Sequence, residues 1–293
     1  MAAESFVMVS RLCFQTGWRA TTVQDRSFWI RILSKYMIEN SNFPQKHDRL
    51  TAFLKAFPLS ATHCDVAEAA NLVILDADGR GRPSHLIYRA RSTCSLPDGA
   101  SLFAAARVEF GGSANPLVGA LPDELSFQLA DEPQILGLSD LIVAEVEVTR
   151  CGGGTVQARL YEIVIVLAIR KAIARGTVDA GLLAGLAHPR LHASLVAMHD
   201  DPARNWQIAD LAAVAEMSRG QFIAAFKRTV GLPPAAYLNG WRLALGRAEL
   251  RSGYSVKSVA AKVGFGSAAA FSRAFSRKFG CPPVHSRTQG AVP

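Results

Sequence analysis

Signatures of bond-making chemistry are missing from these 293 residues. There is no GxSxG, no phosphate loop of the form GxxxxGK followed by Ser or Thr, and no HExxH, so no catalytic residue, metal or cofactor is expected and the chain reads as a non-enzyme. Long hydrophobic runs are absent too. The longest, Ile163 to Ile169, falls far short of the roughly 18 to 20 residues that cross a bilayer, which excludes a membrane span. The N-terminus offers only the short apolar stretch Phe6 to Val9, too little for a secretion signal, and the expected compartment is the cytoplasm. Cysteine is sparse: Cys13, Cys64, Cys94, Cys151 and Cys281 are odd in number and scattered, with no CxxC. That usage fits reduced thiols better than a disulfide framework or a zinc site.

What is present is a packed globular composition, 49% hydrophobic and 19% charged, in a length that suits about two domains. The net charge of +8 is unevenly spread. Residues 1–187 carry 18 Lys and Arg against 19 Asp and Glu, whereas residues 188–293 carry 14 against five. A basic segment joined to a neutral one suggests that one part grips a polyanion, double-stranded DNA first among them, while the other senses or dimerises. Charge alone fits a solvated basic surface equally well.

A self-similarity at an offset of 49 residues is more specific. Ser218, Phe222, Ala225, Phe226, Arg228, Gly231, Pro233 and Pro234 recur as Ser267, Phe271, Ala274, Phe275, Arg277, Gly280, Pro282 and Pro283, eight of 17 positions. Chance would supply roughly one. In each copy the Ser oxygen can cap a helix start, the residues four, seven and eight further on form one apolar stripe, and Gly then Pro ends the helix. Short helices precede each copy, Ile208 to Glu216 with Leu211 inward and Val256 to Val263, linked by Met217 in the first and by Gly264, Phe265 and Gly266 in the second. That is the spacing of two helix-turn-helix motifs, with the core Leu211, Phe222, Phe226, Phe265, Phe271 and Phe275. Between them Pro234 to Arg251 has the apolar spacing of a connecting helix, roughly 26 Å long at 1.5 Å per residue, enough to hold two recognition helices about one DNA turn apart.

The stretch Asn205 to Arg287, with LAAVAEMSRGQF, FKRTVGLPPAAYL, RLALGRAEL, VAAKVGFGSAAAFSRAFSRKFG and the closing Pro283 and Arg287, closely resembles the DNA-binding domain of AraC/XylS-type transcriptional regulators. The resemblance implies an activator or repressor contacting two successive major grooves. Two features depart from it: Ser286 stands where the family commonly has an aromatic, and Ala268, Ala269 and Ala270 stand where it often has long polar side chains. By their chemistry Arg219 and Gln221 can read base edges. The resemblance adds Ala224, Ala269 and above all Arg273 to the base-contact set. Lys227, Arg228, Arg277 and Lys278 suit phosphates, which set affinity and register and not sequence.

Residues 1–47 read as an appendage, with Trp18 and Trp29 and a start at Met37 open from sequence. Residues 48–187 begin with a short helix, Leu50 to Phe57, followed by strand-like segments at Asn71 to Leu75, His85 to Arg89 and Ser101 to Phe110, then helices at Gln134 to Val146 and Thr155 to Ala174. The segments Leu102 to Gly112 (LFAAARVEFGG) and Asn115 to Leu125 (NPLVGALPDEL) resemble the cupin-type N-terminal domain of a subgroup of AraC-like regulators. The fold class is therefore α+β: a cupin-like β-barrel or sandwich with a helical dimerisation segment, then an all-α domain over residues 188–293. The HxH pattern of a metal cupin is absent, and only His63 and His85 fall in the barrel segment. His188 and His192 have a helical metal spacing but no third ligand. Cys64 beside His63, together with Cys94, forms a candidate redox or effector site; the alternative is buried thiols serving as small hydrophobes. The whole reads as a dimeric transcriptional regulator, with RNA polymerase and a small-molecule effector as further partners. Two competing classes remain, a metal-dependent cupin enzyme tethered to DNA and a nonspecific architectural DNA binder.

Overall fold

A computed structural model describes residues 48–148, 150–176 and 180–288. The proposed appendage 1–47, with Cys13, Trp18, Trp29 and Met37, lies outside them, as does the side chain of Arg287. Helix α1 (Thr51–Ala56) leads into five strands, β1 (Leu59–Cys64), β2 (Leu72–Asp76), β3 (His85–Tyr88), β4 (Ser101–Phe110) and β5 (Leu125–Gln128), with the short helix α2 (Pro116–Ala120) before the last. Every pairing is antiparallel, in the order β1-β4-β2-β3-β5. The expected barrel is thus realised as an open sheet. Central β2 is buried at all five positions because both its faces are covered. Leu72 and Ile74 turn to the main core, while Val73 and Leu75 meet a smaller cluster with Ala67, Ala70, Cys94 and Ala105.

Two buried asparagines complete this sheet. Asn71 pairs its side-chain amide with the backbone of Val108 at 2.9 and 2.7 Å, standing in for one more rung of the ladder. Asn115 caps α2 by accepting from Leu117 N at 2.9 Å and donates to the Phe110 carbonyl at 3.0 Å. Helices α3 (Pro133–Glu147) and α4 (Gly153–Arg175) follow, within two residues of their expected limits. Tyr161 of α4 is fully buried against the sheet, its hydroxyl 3.3 Å from the Ala105 carbonyl. Buried Glu132 ion-pairs with Lys171 and Arg175, each at 2.7 Å, and ties the entrance of α3 to the last turns of α4.

The remaining helices are α5 (Leu182–Ala187), α6 (Leu191–Asp200), α7 (Ile208–Val214), α8 (Arg219–Val230), α9 (Pro234–Arg251), α10 (Val256–Lys262), α11 (Ala268–Phe279) and α12 (Pro283–Thr288). The expected domain boundary falls between α5 and α6, and packing continues across it. A Cβ on Gly185 of α5 would come within 2.7 Å of Leu195 and 2.9 Å of Val230. A single apolar cluster runs from Leu50 of the N-terminal part to Ala244 of α9 and includes Leu211, Phe222 and Phe226. Its seam is aromatic: Phe53 of α1 packs edge-on against His199 and Trp241, with ring centroids 4.8 and 4.9 Å apart. His199 is within 2.6 Å of the Tyr237 hydroxyl through Nε2, and burial pushes its pKa down to about 3, so the ring is neutral. The second motif has a separate core of Leu243, Leu250, Val259, Ala260, Val263, Phe271 and Phe275.

Candidate nucleic-acid interface

Each recognition helix begins where the sequence says it should. Ser218 Oγ accepts from Gln221 N at 3.4 Å to start α8, and Ser267 Oγ accepts from Ala270 N at 3.1 Å to start α11. Both end on a left-handed glycine, Gly231 at φ 83° and Gly280 at φ 71°. Phe222, Phe226, Phe271 and Phe275 are completely buried and Leu211 nearly so, while Phe265 is half-buried and meets Phe271 edge-on at 5.3 Å.

The helices in front of them repeat as well, at an offset of 48 that the 49-residue comparison misses. Ala215 N donates to Leu211 O and Val263 N to Val259 O; Met217 N donates to Ala212 O at 2.9 Å and Phe265 N to Ala260 O at 2.8 Å. The same cap therefore closes α7 and α10, and the second turn holds one extra residue, Gly266, before its Ser. Both turns need a left-handed residue. The second has Gly264 at φ 82°, whereas the first has Glu216 at φ 53°, the one described non-glycine residue with positive φ. Arg190, which sequence reasoning did not single out, donates to the Glu216 carbonyl at 3.2 Å.

Burial separates the two faces of each recognition helix. Arg219, Gly220, Gln221, Ile223, Ala224, Lys227 and Arg228 are exposed on α8, as are Ala269, Arg273 and Arg277 on α11. Among the described residues no acid pairs with Arg219, Lys227, Arg228, Arg273 or Arg277; the ion pairs of this region are Arg204–Asp210 and Lys262–Glu249. Two assigned side chains have internal partners as well. Gln221 Oε1 accepts from Ser218 N at 3.2 Å in a capping box, so a bidentate adenine contact would require that cap to open. Lys278 donates to the Gly240 carbonyl of α9 at 2.9 Å, and burial lowers its pKa. The residue is exposed on α11, and one of its three ammonium donors holds α11 against α9.

A second group missed by sequence reasoning lies between the motifs. Arg242 of α9 donates from Nε to the Pro202 carbonyl at 2.6 Å and from a terminal nitrogen to the Arg204 carbonyl at 2.9 Å. The same loop closes on itself, Trp206 Nε1 donating to Asp201 O at 2.8 Å under the Arg204 guanidinium, 4.0 Å from the ring centroid. The Arg242 bonds run between residues 40 and 38 apart, which no local pattern reports.

In the N-terminal part His63 and His85 do not converge. His63 lies on edge strand β1 and His85 on β3, with β4 and β2 between, or roughly 14 Å across the sheet at about 4.8 Å per strand. No cluster of three metal-ligating side chains occurs among the described residues. His63 Nδ1 lies 3.1 Å from the Tyr161 hydroxyl. Cys94 is buried in a small apolar cluster against which Cys64 packs, both as free thiols, and burial pushes Cys94 up to about 11, away from the reactive thiolate. His188 is not half of a metal pair: its Nδ1 accepts from Arg190 N at 3.2 Å and Leu191 N at 3.1 Å, capping α6, and its carbonyl lies 2.9 Å from His192 Nδ1. No described helix is long and apolar enough to cross a membrane.

Comparison with known proteins matches residues 211–289 to a helix-turn-helix domain family and residues 60–174 to a cupin family. A protein of Streptomyces lividans described as an AraC-like transcription regulator is 45% identical over 115 residues, 39% of this chain and 38% of its own length. The HTH-type transcriptional regulator MtrA of Neisseria gonorrhoeae is 32% identical over 193 residues, 65% of this chain and 63% of its own. Among solved structures, an AraC-type DNA-binding domain protein of Chromobacterium violaceum is 27% identical, covers 36% of this chain and 95% of its own, and superposes with a TM-score of 0.34. The matched part of this chain spans less than two-thirds of each of these two regulators.

Proposed function

We propose, for a chain that carries a cupin domain ahead of an AraC-type helix-turn-helix domain, that it is a sequence-specific transcriptional regulator of double-stranded DNA and not an enzyme. The observation that carries this reading is the doubled motif: two capped recognition helices, each with an exposed basic face that no acid among the described residues neutralises. One helix-turn-helix reads about half of a site, and two on a rigid connecting helix of 18 residues, about 27 Å long at 1.5 Å per residue, suit successive major grooves. Arg273 is assigned to a base edge, since an arginine can bind guanine bidentately. Lys227, Arg228 and Arg277 supply phosphate contacts and Arg219 a base contact, while Ala224 and Ala269 offer only methyl-sized apolar contact. The first groove is read weakly by hydrogen bonds, because Gly220, Ile223 and Ala224 donate none.

The N-terminal part senses or dimerises. Leu141 of α3 and Val156 and Ile163 of α4 are 57, 45 and 48% exposed, which supports a homodimer formed through these helices. An effector that binds one arrangement better would shift the population of DNA-competent molecules, with RNA polymerase as the downstream partner and the cytoplasm as the compartment. The test is genome-wide footprinting followed by titration of purified protein on the best site at several salt concentrations. A few discrete sites with paired contacts one helical turn apart support the reading. Uniform, steeply salt-dependent coverage would replace it with a nonspecific architectural role.

A further inference from the structure

We infer that the loop 201–206 is a strut that sets the angle between the two helix-turn-helix motifs, with Arg242 and Gly264 as its positioning residues. The inference rests on the proposed DNA-binding role and goes on to say what determines the half-site spacing the protein accepts. The need for such a device follows from the cores. Leu211, Phe222 and Phe226 belong to the large cluster, Phe271 and Phe275 to the small one, and α9 is the element that contributes buried residues to both. One helix can hinge on two separately packed bodies unless something else joins them.

The strut supplies that second connection. It leaves the end of α6, in the body of the first motif, and Arg242 grips the carbonyls of Pro202 and Arg204. Between those two carbonyls lies Ala203, and Ala203 is what the turn of the second motif rests on: a Cβ at Gly264 would stand 2.7 Å from Ala203 Cα and 2.8 Å from its carbonyl oxygen. Gly264 thus serves two ends, a left-handed turn and a backbone-to-backbone contact that no other residue permits. The guanidinium is a planar fork of donors, and two donors on two carbonyls fix the loop in orientation as well as position. Lys278 bonded to Gly240 anchors α11 to α9 two residues ahead of Arg242. With both contacts made, the recognition helices move as one body, and the free energy of binding two half-sites is gained in full only at the matching spacing.

The test uses the full chain, the operator recovered by footprinting, and derivatives of it with one base pair inserted or removed between the paired contacts. Each insertion turns the far half-site by about 35°. Wild type should lose about 100-fold in affinity on insertion, and Arg242→Ala should bind the parent operator about tenfold more weakly yet lose less than about fivefold on insertion, because a freed second motif follows the displaced site. Spin labels carried on non-native side chains at Arg228 and Arg277 give a second, DNA-free reading: one narrow distance distribution in wild type, a broadened one in Arg242→Ala and in Gly264→Ala. An unchanged spacing profile together with an unchanged distance distribution would overturn the strut, even if the variant melts earlier. Loss of paired sites in wild type itself would overturn the proposed function, and in that case the distance distribution alone decides whether the strut exists.

Discussion

Replacing Phe275 with Ala should unfold the second helix-turn-helix while the first stays in place. The ring is completely buried, 5.5 Å from Phe271 and 4.6 Å from Phe279 between centroids. Truncating such a ring costs about 3–5 kcal/mol, the transfer of its carbons to water plus the cavity left behind. The core that must absorb this loss has seven fully buried members, one of them Phe275 itself. A unit so small is held by only about 3–5 kcal/mol of its own, so the deficit matches the whole local stability. Hydrogen exchange read by mass spectrometry should show amides of α10 and α11 losing protection in Phe275→Ala, with α7 and α8 unchanged. Phe226→Ala, in the large cluster, should instead lower protection in α6 to α9 and in α1 together. The separation of the two cores would be refuted by equal loss of protection in α8 and α11 of Phe275→Ala. A destabilisation below about 1 kcal/mol would refute the burial argument itself.

Other expectations follow from individual side chains. Arg273→Ala should reduce the ratio of specific to random DNA affinity by about 1–3 kcal/mol; Lys227→Ala should leave that ratio intact and lower the salt slope by about one, so an unaltered ratio in the first or slope in the second removes that residue from its assigned role. Glu216→Gly should stabilise the chain by about 0.5–1 kcal/mol, since relief of a left-handed strain of about 1–2 kcal/mol exceeds the added entropy of glycine in the unfolded chain; a fall in melting temperature would contradict it. His199, with a folded pKa near 3 against 6.5 unfolded, contributes stability that is complete above pH 6.5 and is lost as pH falls toward 3, because only the unfolded chain takes up the proton in that window. The loss approaches 1.4 kcal/mol per pH unit. His199→Phe should flatten the acid limb of the stability profile, and an identical limb would mean that the carboxylates account for it.

How far the sequence carried depended on the range of the interaction. Serine caps, apolar stripes and terminal glycines are local, so both recognition helices and the connecting helix could be placed from spacing alone. Strands β2 to β4 were legible because they alternate or run apolar between turns. β1 was not, since Leu-Ser-Ala-Thr-His-Cys is an edge strand with little apolar pattern, and β5 has only four residues. The repeat of α7 and α10 was hidden by the single residue Gly266, which shifts the offset from 49 to 48. Gln221 and Lys278 were read as surface chemistry because their type says so; the spacing of Ser218 and Gln221 is a capping-box pattern that the sequence does carry, whereas the carbonyl that Lys278 meets, 38 residues away, is visible only in three dimensions. Arg242, Arg190 and the aromatic seam have no signature at all, since each joins segments distant in sequence.

That seam also decides which piece of the chain could be exchanged as a cassette. A chimera cut at 187 and 188 would expose the faces of Trp241 and His199 that pack on Phe53, and a foreign sensor would have to supply aromatic rings in the same places. The second motif, with its own core, carries no such debt to the N-terminal half. Modularity in this protein therefore follows the cores and not the motifs: the first reader of DNA is inherited with the sensor, and the second can be exchanged for one that keeps a glycine against Ala203 and a donor to the Gly240 carbonyl.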